Sequence, residues 1–233
     1  MRLGGIVVAV SESDKEYLIS RGFNPKRLVT ILNGPNQTPR EKWHSNIAKE
    51  TFLETPSIMV VGGLHERKGV KDILLAFSQL HKNFPQWHLN IVGDGPDRTK
   101  LENLARELNL SNTHFLGHIP TPQHLLKKSD IFISASYAEP FGLSTAEARE
   151  AGCAIIATAV GGTPEVLNQG EAGILVEPGH PDQINHELRK LLSDSDTLHF
   201  WKERSKTGAD YFNVFRLAKD YNRIYTMFAT YDL

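Results

Sequence analysis

Cysteine is nearly absent from this chain. Cys153 is the only one in 233 residues, so no intrachain disulfide can form, which agrees with a reducing compartment. Its apolar neighbours mark it as core rather than nucleophile. No run of about 18 apolar residues occurs, so no helical membrane span is expected. The opening MRLGGIVVAVSESDKEY turns polar too soon for a signal peptide. Blocks of one charge are missing as well. The 26 basic and 27 acidic residues leave a net charge of -1, and nucleic acid is not an expected partner. The ten histidines show no metal-ligand spacing. His114 and His118 are four apart, but Phe115, Gly117 and Pro120 oppose a helix there. His65-Glu66 lacks the second histidine of a zinc-protease motif. Asn36-Gln37-Thr38 and Asn109-Leu110-Ser111 match glycosylation acceptors, which carry no meaning in a cytosolic protein. There is no internal repeat and no low-complexity segment.

What is present suits a soluble globular chain, with 40% apolar and 23% charged residues. The length fits one large domain, or one domain plus part of another. Strands are expected at 5–10, 57–63, 88–93, 130–136 and 154–160, with weaker ones at 113–117 and 172–177. The stronger runs are apolar on both sides, as in a parallel sheet covered by helices on two faces. Between them Val70, Ile73, Leu74, Phe77 and Leu80 repeat at helical spacing, as do Leu101, Leu104, Ala105 and Leu108, and later Ile184, Leu188 and Leu191. Repeated strand–helix units imply an α/β fold with a doubly wound, Rossmann-like parallel sheet and right-handed crossovers. Residues 1–32 read as strand, helix, strand, closing at Asn33-Gly34-Pro35. Residues 36–56 are polar and mixed, a loop with room for one helix. From Leu198 onward the pattern is helical. Its aromatic residues Tyr211, Phe212, Phe215, Tyr221, Tyr225 and Phe228 read as a packing surface.

The stretch EPFGLSTAE, Glu139 to Glu147, carries the chemistry. Pro140 keeps Glu139 out of helix. Gly142 permits a sharp turn or the close approach of a ligand. Ser144 and Glu147 fit a capping box, with Ser144 as N-cap, and the helix would end at Gly152. A helix N-terminus favours an anion. Two carboxylates beside a phosphate repel it unless they face hydroxyl groups on either side. A nucleotide diphosphate sugar has that layout: ribose, two phosphates, sugar. The bland alternative is a capping-box acid and a solvated loop charge. Against it stand three glycine turns following expected strands: Gly62-Gly63, Gly93-Asp94-Gly95-Pro96 and Gly161-Gly162. Ligands of open parallel sheets bind outside the carboxyl ends of the strands.

The stretches VGGLHERKG, IVGDGP, FLGHI, SDIFISASYAEPFGLSTAEARE, AGCAIIAT and VGGTPEVL, in this order and spacing, resemble the nucleotide-sugar-binding half of a GT-B glycosyltransferase of the large retaining family 4. The resemblance is close from Ser57 to about Leu192 and looser over residues 1–35. It implies roles residue by residue. Lys68 matches the lysine on the diphosphate. Glu139 matches the glutamate on hydroxyls of the transferred sugar. Phe141, Gly142 and Leu143 match the turn whose N–H groups approach sugar and phosphate. Glu147 matches the glutamate holding the ribose, and His118 and Ile119 fall where the base is accommodated. Gly93 and Asp94 would line the cleft floor. Lys68 and Glu139 are thus the catalytic candidates. The implied activity is hexosyl transfer from a UDP-, GDP- or ADP-sugar to an acceptor sugar, lipid or small molecule, with retention and with neither cofactor nor metal.

Two departures stand out. Family members often carry an arginine where this chain has Gly63, after Gly62, and Arg67 is the candidate substitute. The chain also begins where a first, acceptor-binding domain would be ending. Residues 1–35 are expected to be the end of that domain plus a linker, 36–210 the nucleotide-sugar domain, and 211–233 a helix packing toward the first domain. A cytoplasmic location is expected, with peripheral membrane contact left open through a missing domain or a partner chain. The alternative function is a non-catalytic nucleotide-sugar-binding module or a subunit of a split enzyme. A two-carboxylate glycosidase is disfavoured because Glu139 and Glu147 flank one turn. A nicotinamide site is disfavoured because no G-x-G-x-x-G follows the first strand. An epimerase of the same two-domain architecture stays open.

Overall fold

The computed structural model describes residues 5–35, 53 and 55–229. The chain runs β1 (Val7–Ala9), α1 (Glu12–Ser20), β2 (Leu28–Thr30), β3 (Ser57–Val61), α2 (Val70–Ser78), β4 (His88–Val92), α3 (Arg98–Glu107), β5 (Thr113–Gly117) and α4 (Gln123–Leu126). It continues with β6 (Ile131–Ser134), α5 (Leu143–Ala151), β7 (Ala154–Thr158), α6 (Thr163–Val166), β8 (Ile174–Val176), α7 (Pro181–Ser193), α8 (Ser195–Lys206) and α9 (Val214–Ala229). Six strands form one parallel sheet in the order β5-β4-β3-β6-β7-β8, and β1 and β2 form a separate parallel pair.

The apolar strand runs are explained by burial on both faces. Ile58 and Val60 point into one core with Ile73, Leu74 and Phe77 of α2 and Leu188 and Leu191 of α7. Met59, between them, points into the other with Phe132, Ile155, Leu125 and Leu126. Each such side chain, fully buried, contributes about 1.5–3 kcal/mol. Cys153 lies in the second core, where burial pushes its thiol up to about 12, so it is no nucleophile at neutral pH.

Two expectations need correction. The helix expected from Leu198 onward is not continuous. It breaks at Thr207 and Gly208, turns through a short 3₁₀ segment at Ala209–Tyr211, and restarts as α9. The aromatic stripe is divided too. Phe212 is buried against Phe141, while Phe215 and Tyr225 stand exposed. The reading of residues 36–56 falls almost wholly outside the described residues. Leu53, which is described, packs into the second core.

The β1–α1–β2 unit is docked on the large sheet's domain by polar contacts. The Glu165 carboxylate accepts from the N–H groups of Glu12 and Ser13, the first turn of α1, at 2.9 and 3.0 Å. Ser11 caps that helix and donates its hydroxyl to the Pro140 carbonyl at 2.7 Å.

Arg149 of α5 is wholly buried, and its guanidinium donates to the carbonyls of Ser205, Val166 and Thr207 while lying over the Phe212 ring. It ties α5 to the end of α8. Arg149→Ala strands the buried Ser205 and Val166 carbonyls, frees the less buried Thr207 carbonyl and leaves a cavity, so it is expected to cost about 3 kcal/mol or more, measured as a lower midpoint of denaturant unfolding.

Candidate functional site at the switch point of the sheet

From β3 the chain moves outward through β4 to β5, then returns to the other side of β3 with β6 and continues to β7 and β8. The carboxyl ends of β3 and β6 therefore flank the switch point where open α/β sheets hold ligands. The loop after β3 carries Gly62, Gly63, Arg67 and Lys68, and the loop after β6 carries Glu139 to Leu143.

These two loops are joined backbone to backbone. Gly69 adopts φ +61°, and a Cβ there would lie 1.9 Å from the Ala135 carbonyl oxygen. Tyr137 donates its N–H to the Arg67 carbonyl and its hydroxyl to Asp72 Oδ2 of α2, both at 2.8 Å. Burial, reinforced by Asp72, pushes the Tyr137 phenol up to about 12, so it stays a donor. On the far side Gly161 adopts φ +52°, and a Cβ there would lie 1.8 Å from the Glu139 carbonyl oxygen. That carbonyl accepts from the Gly162 N–H at 3.1 Å. The loop is thus held by its backbone from both neighbours, at Ala135 and Tyr137 on one side and at Glu139 on the other, and the Glu139 carboxylate meets the Lys68 ammonium at 2.5 Å.

The capping-box expectation is overturned. Gly142, at φ 101°, is the N-cap of α5, so Ser144 is the second residue of the helix and caps nothing. Gly142 starts the helix two residues earlier than the hydroxyl pattern suggests. Among the described residues no side chain caps this end; Leu143 is exposed and Ser144 half-buried, while Thr145 is buried. The buried Thr145 hydroxyl also lacks a partner among the described residues. Gly152 ends the helix in the left-handed region, as expected.

Glu147 turns away from the backbone and accepts from Gln123 Nε2 of α4 at 2.8 Å. Burial raises its pKa, the Gln123 contact pulls it back, and Glu150 adds to the rise. Gln123 is a residue that sequence reasoning missed. It follows the β5 loop bearing His118 and Ile119, so its bond brings that loop to α5. His118 is exposed, whereas the Ile119 side chain packs against the second core. Phe141 likewise gives its ring to the core with Phe212, leaving only backbone to a ligand. Gly93 lies directly on Gly62. The Asp94 side chain is exposed, accepts from the Gly95 N–H and pairs with Arg98. Arg67 is exposed beside Lys68.

The sequence profile of the glycosyl transferases group 1 matches residues 41–208. The chain belongs to this family. Among curated relatives, an uncharacterized glycosyltransferase of Methanocaldococcus jannaschii is 29% identical over 94% of this chain and 57% of its own length. N-acetyl-alpha-D-glucosaminyl L-malate synthase of Bacillus anthracis is 30% identical over 74% of this chain and 46% of its own. The chain thus spans about half the length of these relatives. In structure it is similar to Anabaena HepE in complex with UDP-glucose, with a TM-score of 0.82 over 97% of this chain and 65% of that one, at 21% identity. Sucrose-phosphate synthase from Thermosynechococcus elongatus gives 0.80 over 97% and 59%, at 24% identity. The architecture is the Rossmann-like half of a GT-B fold.

In this group 1 chain, Glu147 combines burial with charge. Between the ordinary glutamate pKa and its raised value, the native side chain keeps a proton that the unfolded chain has released. Stability therefore falls as pH rises through that window. Glu147→Gln removes this cost while retaining an acceptor for Gln123. Thermal denaturation is expected to show the variant gaining on the wild type at pH 7 relative to pH 4.

Proposed function

We propose that this chain supplies the sugar-donor half of a retaining, family 4 glycosyltransferase, which moves a hexose from a nucleotide diphosphate sugar to an acceptor. One observation carries this reading: Lys68 and Glu139, from loops that meet at the switch point, converge beside the uncapped N-terminus of α5. The pyrophosphate lies against the first-turn amides, with Lys68 balancing the charge that grows on the leaving group. Glu139 accepts from hydroxyls of the transferred sugar. Glu147, oriented by Gln123, accepts from the ribose, and the base lies along the loop of His118 and Ile119. The retaining reading, taken from the family resemblance, has the acceptor attack from the leaving-group face with no protein nucleophile.

Residues 5–35 belong with the acceptor-binding domain and its linker, and α9 returns toward that domain. The Arg216 guanidinium donates to the Asn33 carbonyl at 2.9 Å, so α9 already meets this N-terminal piece. Exposed Phe215 and Tyr225 supply an apolar face for the first domain. The second reading is a binding module that transfers nothing alone.

Calorimetric titration with UDP-, GDP- and ADP-glucose is expected to show one of them binding at micromolar to millimolar levels. No binding by any at millimolar concentration contradicts the proposal. Turnover by the chain alone, with the product's anomeric configuration read by NMR, separates enzyme from module. A second titration addresses the missing arginine. A Cβ on Gly63 would crowd the exposed His65 ring, at 2.9 Å, which can move, and would lie at ordinary contact distance, 3.8 Å, from the Asp94 carbonyl oxygen. Gly63→Arg is expected to tighten diphosphate binding about tenfold or more through charge-assisted hydrogen bonds.

A further inference from the structure

Lys68 and Glu139 satisfy each other. Their charged ends are 2.5 Å apart, and their side chains are only 20% and 14% exposed. The Lys68 stem runs over Gly62, with Cδ and Cε 4.0 Å from where a Cβ would be. Glu139 Cγ lies 3.7 Å from the corresponding point on Gly142, at the start of α5. One carboxylate therefore stands beside both positive features that the donor reading assigns to a pyrophosphate: the ammonium and the helix N-terminus.

We propose, resting on that reading, that the Lys68–Glu139 ion pair is an exchange gate that makes the site prefer an intact sugar diphosphate to a bare nucleoside diphosphate. A diphosphate engages Lys68 only by drawing it from Glu139. A mostly buried carboxylate stripped of its cation is costly, and here it would also face the new negative charge. A bare nucleoside diphosphate offers Glu139 nothing in return. A sugar diphosphate offers hydroxyl donors, which form charge-assisted hydrogen bonds to the carboxylate. Sugar and phosphate contacts are thereby coupled, and neither reaches full strength alone. Once the sugar has been transferred, Glu139 competes again for Lys68 and helps expel the diphosphate product.

The test is calorimetry on the full chain with UDP, GDP and ADP and with their glucose derivatives. For the base that binds, Glu139→Gln is expected to tighten the bare diphosphate by at least about tenfold, equivalent to about 1.4 kcal/mol. The sugar nucleotide gains less or weakens, so the wild type's discrimination collapses. Glu139→Ala should act in the same direction, which guards against a defect peculiar to the amide. In a Lys68→Met background the Glu139→Gln gain should vanish, closing a double-mutant cycle. A Glu139 that only supports the loop would weaken both ligands alike. If the wild type binds these ligands but neither Glu139 variant tightens the bare diphosphate, the gate is overturned and the donor site stands. If the wild type binds none of them, the donor reading falls and the gate with it.

Discussion

The backbone of the loop after β6 rests directly on two glycines, and the meeting of Lys68 with Glu139 at the switch point depends on it. At Gly69 and Gly161 a single added carbon would sit within 2 Å of a carbonyl oxygen from that loop. Because both contacts are backbone to backbone, no rotamer change relieves them. They fix the Ala135 and Glu139 carbonyls relative to the turns that follow β3 and β7. Lys68 and Glu139, 71 residues apart, then meet within a single hydrogen bond. Tyr137 reinforces the same junction, by its N–H to the Arg67 carbonyl and by its hydroxyl to the Asp72 carboxylate.

Charge at this site is arranged at some expense to stability. Glu147 is held where burial raises its pKa, with Gln123 as partial compensation. The first turn of α5 is left without a side-chain cap, and Thr145 keeps a buried hydroxyl without a partner among the described residues. An isolated domain under selection for stability alone would cap that helix and neutralise that acid. Unsatisfied and partly satisfied groups clustered at a switch point are what a site for an anionic, hydroxyl-rich ligand requires.

The sheet was readable because its central strands are buried on both faces, which leaves unbroken apolar runs such as IMVV within Ser57–Val61 and AIIA within Ala154–Thr158. Even the weaker expectation at 113–117 coincides with β5. The site was readable in residue identity and less so in geometry. Gly142 looked like a turn and proved to be the helix cap, because a glycine in the left-handed region can start a helix without any hydroxyl. Gln123 left no local signal: it sits on a four-residue helix and meets Glu147 across 24 positions. Arg149 drew no expectation from the sequence, yet three carbonyls distant in sequence enclose it. Periodicity reports which face of an element is buried. It does not report which distant backbone groups converge on one side chain.

The decisive measurement is a crystal structure of the chain with the nucleotide sugar that binds it. If the switch point holds the donor, the pyrophosphate will lie against the amides of Leu143 and Ser144. Lys68 will have turned onto it, and Glu139 will accept from sugar hydroxyls. A ligand seated elsewhere, with Lys68 still 2.5 Å from Glu139, would contradict the assignment of this site.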